Sequence, residues 1–308
     1  MDVVRPNFLI AGAGKAGTTS LHEYLCQHPD IFMSALKEPS FFVRGYGYDN
    51  WEDYLALFAG AHGEKAAGES STAYLYCEES PAWIKSVLGN VRIILILRNP
   101  AQRAASLYWW MLREGYENAP TFAKALELES SRTQNPNFRS QCPQFYPDYL
   151  YYRSGLYSEQ VRRYLDTFGE GHVRIYIFEE FIKQPLEICR DIFEFLNVDP
   201  NFRPTIQVYN RAQIPAFVSL QYWLRTKGPH YLRFVPSRLR QRFLLALIKL
   251  NARKGSLPAH DPQLEKPLLE RYRSDITKLE RLINRDLSVW YEGESKPFSK
   301  GKWQARNI

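Results

Sequence analysis

A chain of 308 residues with 45% hydrophobic and 24% charged content can bury a large core, in one big domain or two small ones. No apolar run approaches the roughly 20 residues that cross a bilayer, and the four cysteines (Cys26, Cys77, Cys142, Cys189) fit no zinc spacing. The net charge of +7 is regional: eleven basic and no acidic residues lie between Asp199 and Asp261, which suggests an anionic partner for a basic region at about 203–254.

The alternation of strand and helix patterns predicts an α/β fold with a largely parallel sheet. A first strand is expected at 7–11, too close to the N-terminus for a signal peptide to precede it. It runs into Gly12-Ala13-Gly14-Lys15-Ala16-Gly17-Thr18-Thr19. The helix that follows is expected at 18–28, with Leu21, Tyr24 and Leu25 on one face and Pro29 as its stop. Strand, glycine-rich turn and helix N-terminus together make a pocket for a phosphate or a similar tetrahedral anion. A nucleotide-triphosphate loop places lysine directly after the second glycine. Thr18 stands there in this chain, and the lysine sits inside the loop as Lys15.

A loop with an aromatic end follows, Lys37-Glu38-Pro39-Ser40-Phe41-Phe42, then a short helix at 51–58 and a second polar turn around Glu69-Ser70-Ser71-Thr72. The β-branched run at 91–97 predicts a central strand buried on both faces. It ends in Arg98-Asn99-Pro100, and a helix to about 113 carries Arg103 and Ser106. A triphosphatase would usually place a magnesium-holding aspartate at that strand end. An arginine with a hydroxyl eight residues on suits a second phosphate instead. Residues 114–152 read as irregular, a substrate-side loop. A helix at 157–168, a strand at 173–178, a helix at 186–196, a mostly helical basic region and a last helix at 264–282 complete the chain. With neither internal repeat nor clear linker, one domain over 1–308 is expected. The scattered thiols point to a reduced, cytoplasmic protein.

In this order the motifs resemble those of sulfotransferases that use 3′-phosphoadenosine 5′-phosphosulfate (PAPS). They are most similar to the heparan sulfate N- and O-sulfotransferase group and its bacterial relatives. The resemblance implies a P-loop-like parallel sheet flanked by helices. It implies that Lys15, Ala16, Gly17, Thr18, Thr19 and Ser20 hold the 5′-phosphosulfate, and that Arg98 and Ser106 hold the 3′-phosphate. Arg253, Lys254 and Gly255 would close over the donor. Lys37, Glu38, Ser70 and Tyr157 would meet the acceptor. Lys15 would act as catalytic cation and Glu38 as base, without a metal. The pattern Glu-Lys-Ser-Pro, frequent in the family, is replaced by Glu69-Ser70-Ser71-Thr72.

The implied reaction moves a sulfuryl group to a hydroxyl or amine by direct in-line displacement. A saccharide is the expected acceptor; a hydroxylated lipid, a small metabolite or a carrier-bound acyl chain are the alternatives. A P-loop kinase is disfavoured by Thr18 and Arg98. None of the six histidines falls in a motif that calls for a histidine base. For the basic region a solvated face competes with docking of an anionic glycan, an acidic carrier protein or a membrane surface. No motif that reads nucleic acid accompanies the charge.

Overall fold

The computed structural model describes residues 4–207, 213–254 and 262–291, and its centre is a five-stranded parallel sheet. Strand β1 (Phe8–Gly12) leads through α1 (Thr18–Leu25) to the three-residue β2 (Ile31–Met33). After α2 (Trp51–Ala56) come β3 (Ala66–Ser70), α3 (Ala73–Tyr76), α4 (Ser80–Leu88) and β4 (Arg92–Leu97). Helix α5 (Pro100–Glu114) is followed by α6 (Phe122–Gln134), α7 (Phe138–Gln141) and α8 (Tyr157–Phe168). Then come β5 (Val173–Ile177), α9 (Phe178–Phe181) and α10 (Pro185–Leu196). The basic region holds β6 (Gln213–Pro215), α11 (Val218–Thr226), α12 (Gly228–Tyr231), α13 (Ser237–Leu250) and β7 (Ala252–Lys254). Helix α14 (Pro262–Ile283) is the last α-helix of the described residues, followed by a 3-10 turn at Ser288–Trp290.

The strand order is β2-β3-β1-β4-β5. Strands β1 and β4 are buried on both faces, as covered parallel sheets require. Phe8 lies opposite Gly68 in the register. A Cβ on Gly68 would come within 2.6 Å of the Phe8 ring, so only glycine lets these strands pair. The chain leaves β1 toward β2 and β3, then crosses back to β4 and β5. The order therefore reverses between β1 and β4, the place where open α/β sheets bind ligands beyond the strands' carboxyl ends. The loops after β1 and β4 meet there: Ala13 donates its N–H to Ile96 O at 2.8 Å, and Arg98 donates to Lys15 O at 3.2 Å. The C-terminal turn braces the same corner. Glu179 accepts from the Asn99 N–H and from the Trp290 indole, and Asn99 donates to Trp290 O.

The segment 114–152 departs from its irregular reading, because most of it is helical. Phe122, Ala125, Glu129 and Arg132 are the buried positions of α6, a helical stripe in which two members are charged. Arg132 pairs with buried Glu117 at 2.8 Å, and Glu117 also accepts from Tyr151 at 2.7 Å. Glu129 accepts the N–H groups of Tyr152 and Arg153. A buried ion pair and a hydrogen-bonded carboxylate thus fasten the segment inward, where apolar periodicity gives no sign of it. The first helix also ends at Leu25, short of His28. The His28 imidazole instead binds Asp199 O and the Asp30 N–H.

Candidate active site

Gly17 caps α1 with φ +88°, and a Cβ there would stand 3.1 Å from the Phe178 ring. A left-handed residue without a side chain is therefore needed to turn the loop into the helix. Lys15 is also left-handed, at φ 70°, and this bend sends its side chain into a cleft of about 400 Å³. Thr18 and Thr19, in the first turn of α1, line the same cleft, so helix N–H groups and a lysine converge on one point. The Lys15 ammonium lies 5.6 Å from the Trp110 ring centre. Burial, and then the cations Arg113, Arg98 and Lys37, hold its pKa down to about 8. Arg98 presses against the loop backbone and over the Phe178 ring, 4.7 Å from its centre. Its Nε is buried and, among the described residues, has no hydrogen-bond partner. A cluster of cations with an orphaned donor fits an anionic group carrying more than one charge.

Glu38 lines the same cleft. Its carboxylate accepts from Thr72 N at 2.7 Å and Thr72 Oγ1 at 3.2 Å, and pairs with Lys37 at 2.5 Å. A carboxylate offers about four acceptor positions, so about one is left for an incoming hydroxyl or amine. Glu38 and Ser40 both have positive φ, 62° and 53°, a strain that the end of β3 holds in place. Glu38 donates its N–H to Ser70 O, and Ser40 donates its own to Ser71 Oγ. Ser71 in turn donates to Glu69, which also accepts from Tyr74. Glu69 is fully buried, and burial pushes its pKa up to about 7. It orients its neighbours and does not reach the cleft.

Several expected site residues are elsewhere. Ser70 is fully buried and bonded to His22 at 2.9 Å, because β3 packs it against α1. Burial, aided by Lys37, lowers the His22 pKa to about 4, so this histidine is a neutral core partner. Tyr157 is also fully buried, and its hydroxyl donates to Arg98 O at 3.1 Å. It supports the arginine and has no surface for an acceptor. Thr72 occupies the wall position expected for Ser70. Ser106 is half-buried two turns along α5, and neither it nor Arg98 is among the residues lining the cleft. Ala16 is buried under the loop and Ser20 is half-buried in the first turn of α1. Arg253 and Lys254 lie in β7, paired with β6, and Gly255 lies outside the described residues.

Four further residues line the cleft without a site role in the sequence reading. Arg103 is buried, lines the cleft and donates to Tyr151 O and Ser154 Oγ. Asp148 faces the cleft from the 114–152 segment, and burial, then the nearby Glu38, raise its pKa to about 7. Tyr46 stacks on Phe145 at 4.7 Å, and both rings line the cleft with Trp110. Arg103 could have been found as the second arginine of Arg98-Asn99-Pro100-x-x-Arg103. Asp148 and the aromatic pair are brought in only by the tertiary fold.

The model of a family described as the sulfotransferase domain matches residues 5–214. A crystal structure of a sulfotransferase from Alicyclobacillus acidocaldarius is 30% identical, with a TM-score of 0.72 over 94% of this chain and all of that one. Heparan sulfate glucosamine 3-O-sulfotransferase 5 of Homo sapiens is 27% identical over 230 residues, 74% of this chain. The bifunctional heparan sulfate N-deacetylase/N-sulfotransferase 2 of Bos taurus is 28% identical over 212 residues, 66% of this chain. The matches span 60% and 23% of the length of these two relatives.

Proposed function

The chain belongs to the sulfotransferase domain family, and from that premise we propose that it transfers the sulfuryl group of PAPS to a hydroxyl or amine of a saccharide. The observation that carries this reading is that Lys15, Thr18, Thr19 and Glu38 all line one cleft. The donor brings an activated sulfur and a phosphate leaving group. The N–H groups at the start of α1 and Lys15 would hold its phosphosulfate, and Arg98, with its unpartnered Nε, its 3′-phosphate. Glu38 would take the proton of the acceptor. As the new bond to sulfur forms, the bridging S–O bond breaks and its electron pair goes to the phosphate oxygen, where Lys15 meets the charge. The acceptor reading is supported by the names of the heparan sulfate relatives and by the lining of the cleft. Apolar faces of sugar rings pack on aromatic rings, here Tyr46, Phe145 and Trp110, while Asp148 and Gln144 can bond hydroxyls.

Calorimetric titration with 3′-phosphoadenosine 5′-phosphate in EDTA tests the donor site. Binding should need no metal, and Arg98→Ala should weaken it about 30-fold, the worth of a charge-assisted phosphate contact. ATP, which lacks the 3′-phosphate, should bind weakly and respond little to that change. Magnesium-dependent ATP binding tighter than this would refute the donor assignment. Labelled-donor transfer to a panel of oligosaccharides tests the acceptor separately.

A pH profile follows from Lys15. Its pKa is lowered to about 8, so the free enzyme loses this charge as the pH rises through 8. The donor kcat/KM should therefore fall on the basic side near pH 8, since that parameter reports groups of the free enzyme. In Lys15→Arg, whose guanidinium stays charged, the residual activity should show no such fall up to about pH 10.

A further inference from the structure

Nine of the fourteen exposed large hydrophobic side chains among the described residues lie between positions 217 and 250. Seven sit on three helices, α11 to α13, that pack on one another, with Phe217 at the start of α11 and Phe234 in the turn before α13. Phe234 is 85% exposed and Leu250 81%. On α13, Leu239, Phe243, Ala246 and Leu250 are all exposed at spacings of four, three and four, a single helical stripe turned to solvent. Trp223 and Tyr231 add a stacked aromatic pair, 5.8 Å apart and both exposed. The cations belong to the same helices and to the turns that join them. Lys227, Arg233, Arg240 and Arg242 make no ion pair among the described residues, and the sequence holds no acid from 200 to 260.

We propose that this helical cluster docks on the surface of an anionic phospholipid bilayer, its apolar side chains entering the headgroup boundary and its cations meeting the lipid charge. Each half of the surface discriminates. A polyanionic glycan would satisfy the arginines but offers no hydrocarbon to Phe234 or Leu250. A second copy of the chain would bury the apolar side chains but set like charges against each other. A bilayer rich in anionic lipid satisfies both, and stacked aromatics beside arginines suit its interface. The cluster is anchored next to the cleft. Gln221 donates to Arg113 O, and Arg225 bonds Glu114 through both its backbone and its carboxylate. Arg113 itself lines the cleft, so docking would hold the cleft close to the membrane. The inference does not depend on the donor or the acceptor.

Sedimentation of the full chain with vesicles of phosphatidylcholine alone, or with 30 mol% phosphatidylglycerol (about that fraction), reads it directly. An exposed cation near an anionic surface contributes about fivefold, so the exposed Lys227, Arg233 and Arg242 should together give about 100-fold tighter binding to the anionic vesicles. Raising salt should weaken it. The double variant Phe234→Ser/Phe243→Ser keeps every charge and should lose about tenfold or more, with an unchanged thermal midpoint to show that it folds. Equal binding to neutral and anionic vesicles, or none, overturns the proposal. So does anionic binding that the serine pair leaves intact and soluble dextran sulfate removes. Light scattering that finds a dimer dissolved by the serine pair, without vesicle binding, would assign the face to self-association and also overturn it.

Discussion

Replacement of Lys15 by alanine should lower kcat about 1,000-fold, while binding of 3′-phosphoadenosine 5′-phosphate weakens only about tenfold. Removing one preorganised donor aimed at developing charge typically costs 100- to 1,000-fold in kcat, and a full cation in a dry site stands at the upper end. The half-buried ammonium is held by a left-handed backbone and by the Trp110 ring at 5.6 Å, so little reorganisation is needed when charge builds on the leaving oxygen. The excess of the kcat effect over the binding effect identifies an interaction that strengthens in the transition state. Lys15→Arg should recover only part of the loss, since a planar fork cannot reproduce a point charge at that bend. Stopped-flow or discontinuous product assays, with the product-nucleotide Kd measured in parallel, check both numbers. A kcat within tenfold of the parent would show that Lys15 only binds the donor.

The parts of the site built by local chain geometry were legible in the sequence. Glycines around Lys15, apolar runs into and out of the loop, and the β-branched run before Arg98 each act over a few residues, and the sheet places β1 and β4 side by side as that pattern implies. The parts built by distant partners were not. Strand β2 has only three residues, too few for any periodicity to register. Helix α6 hides its buried stripe because Glu129 and Arg132 belong to it, and a charged residue reads as exposed until its partner is known. Ser70 and Tyr157 match the resembling family's motifs by position, yet both face inward. The hydroxyl that reaches Glu38 is Thr72, two residues further on. Motif order therefore located the walls of the cleft, and the burial pattern decided which member of each motif faces it.

The substitution Glu38→Gln should lower kcat about 1,000-fold and leave the affinity for the product nucleotide unchanged. General base catalysis contributes 100- to 10,000-fold, and glutamine has the shape of glutamate without its capacity to take a proton. The fold should tolerate it. The amide oxygen can still accept from Thr72 N, now 2.7 Å from Oε2, and the loop keeps its bonds from Glu38 N to Ser70 O and from Ser40 N to Ser71 Oγ. Asp148 is the rival, since it lines the same cleft with a pKa raised to about 7. Below pH 7 Asp148 is mostly protonated and cannot serve as base, whereas its hydrogen bonding to an acceptor hydroxyl survives in either state. Asp148→Asn should therefore raise the acceptor KM and leave kcat within about tenfold of the parent. The reverse pattern, with Asp148→Asn losing 1,000-fold (about that magnitude) and Glu38→Gln little, would transfer the proton to Asp148. Glu38 would then be a brace for Lys37 and Thr72, and an acidic limb near pH 7 in kcat would be its signature. Removal of Thr72 separates the two cases again. With Glu38 as base, Thr72→Ala removes the hydroxyl donor to the carboxylate, leaving the backbone N–H and Lys37 to hold it, and should cost kcat about threefold; with Asp148 as base it should cost almost nothing.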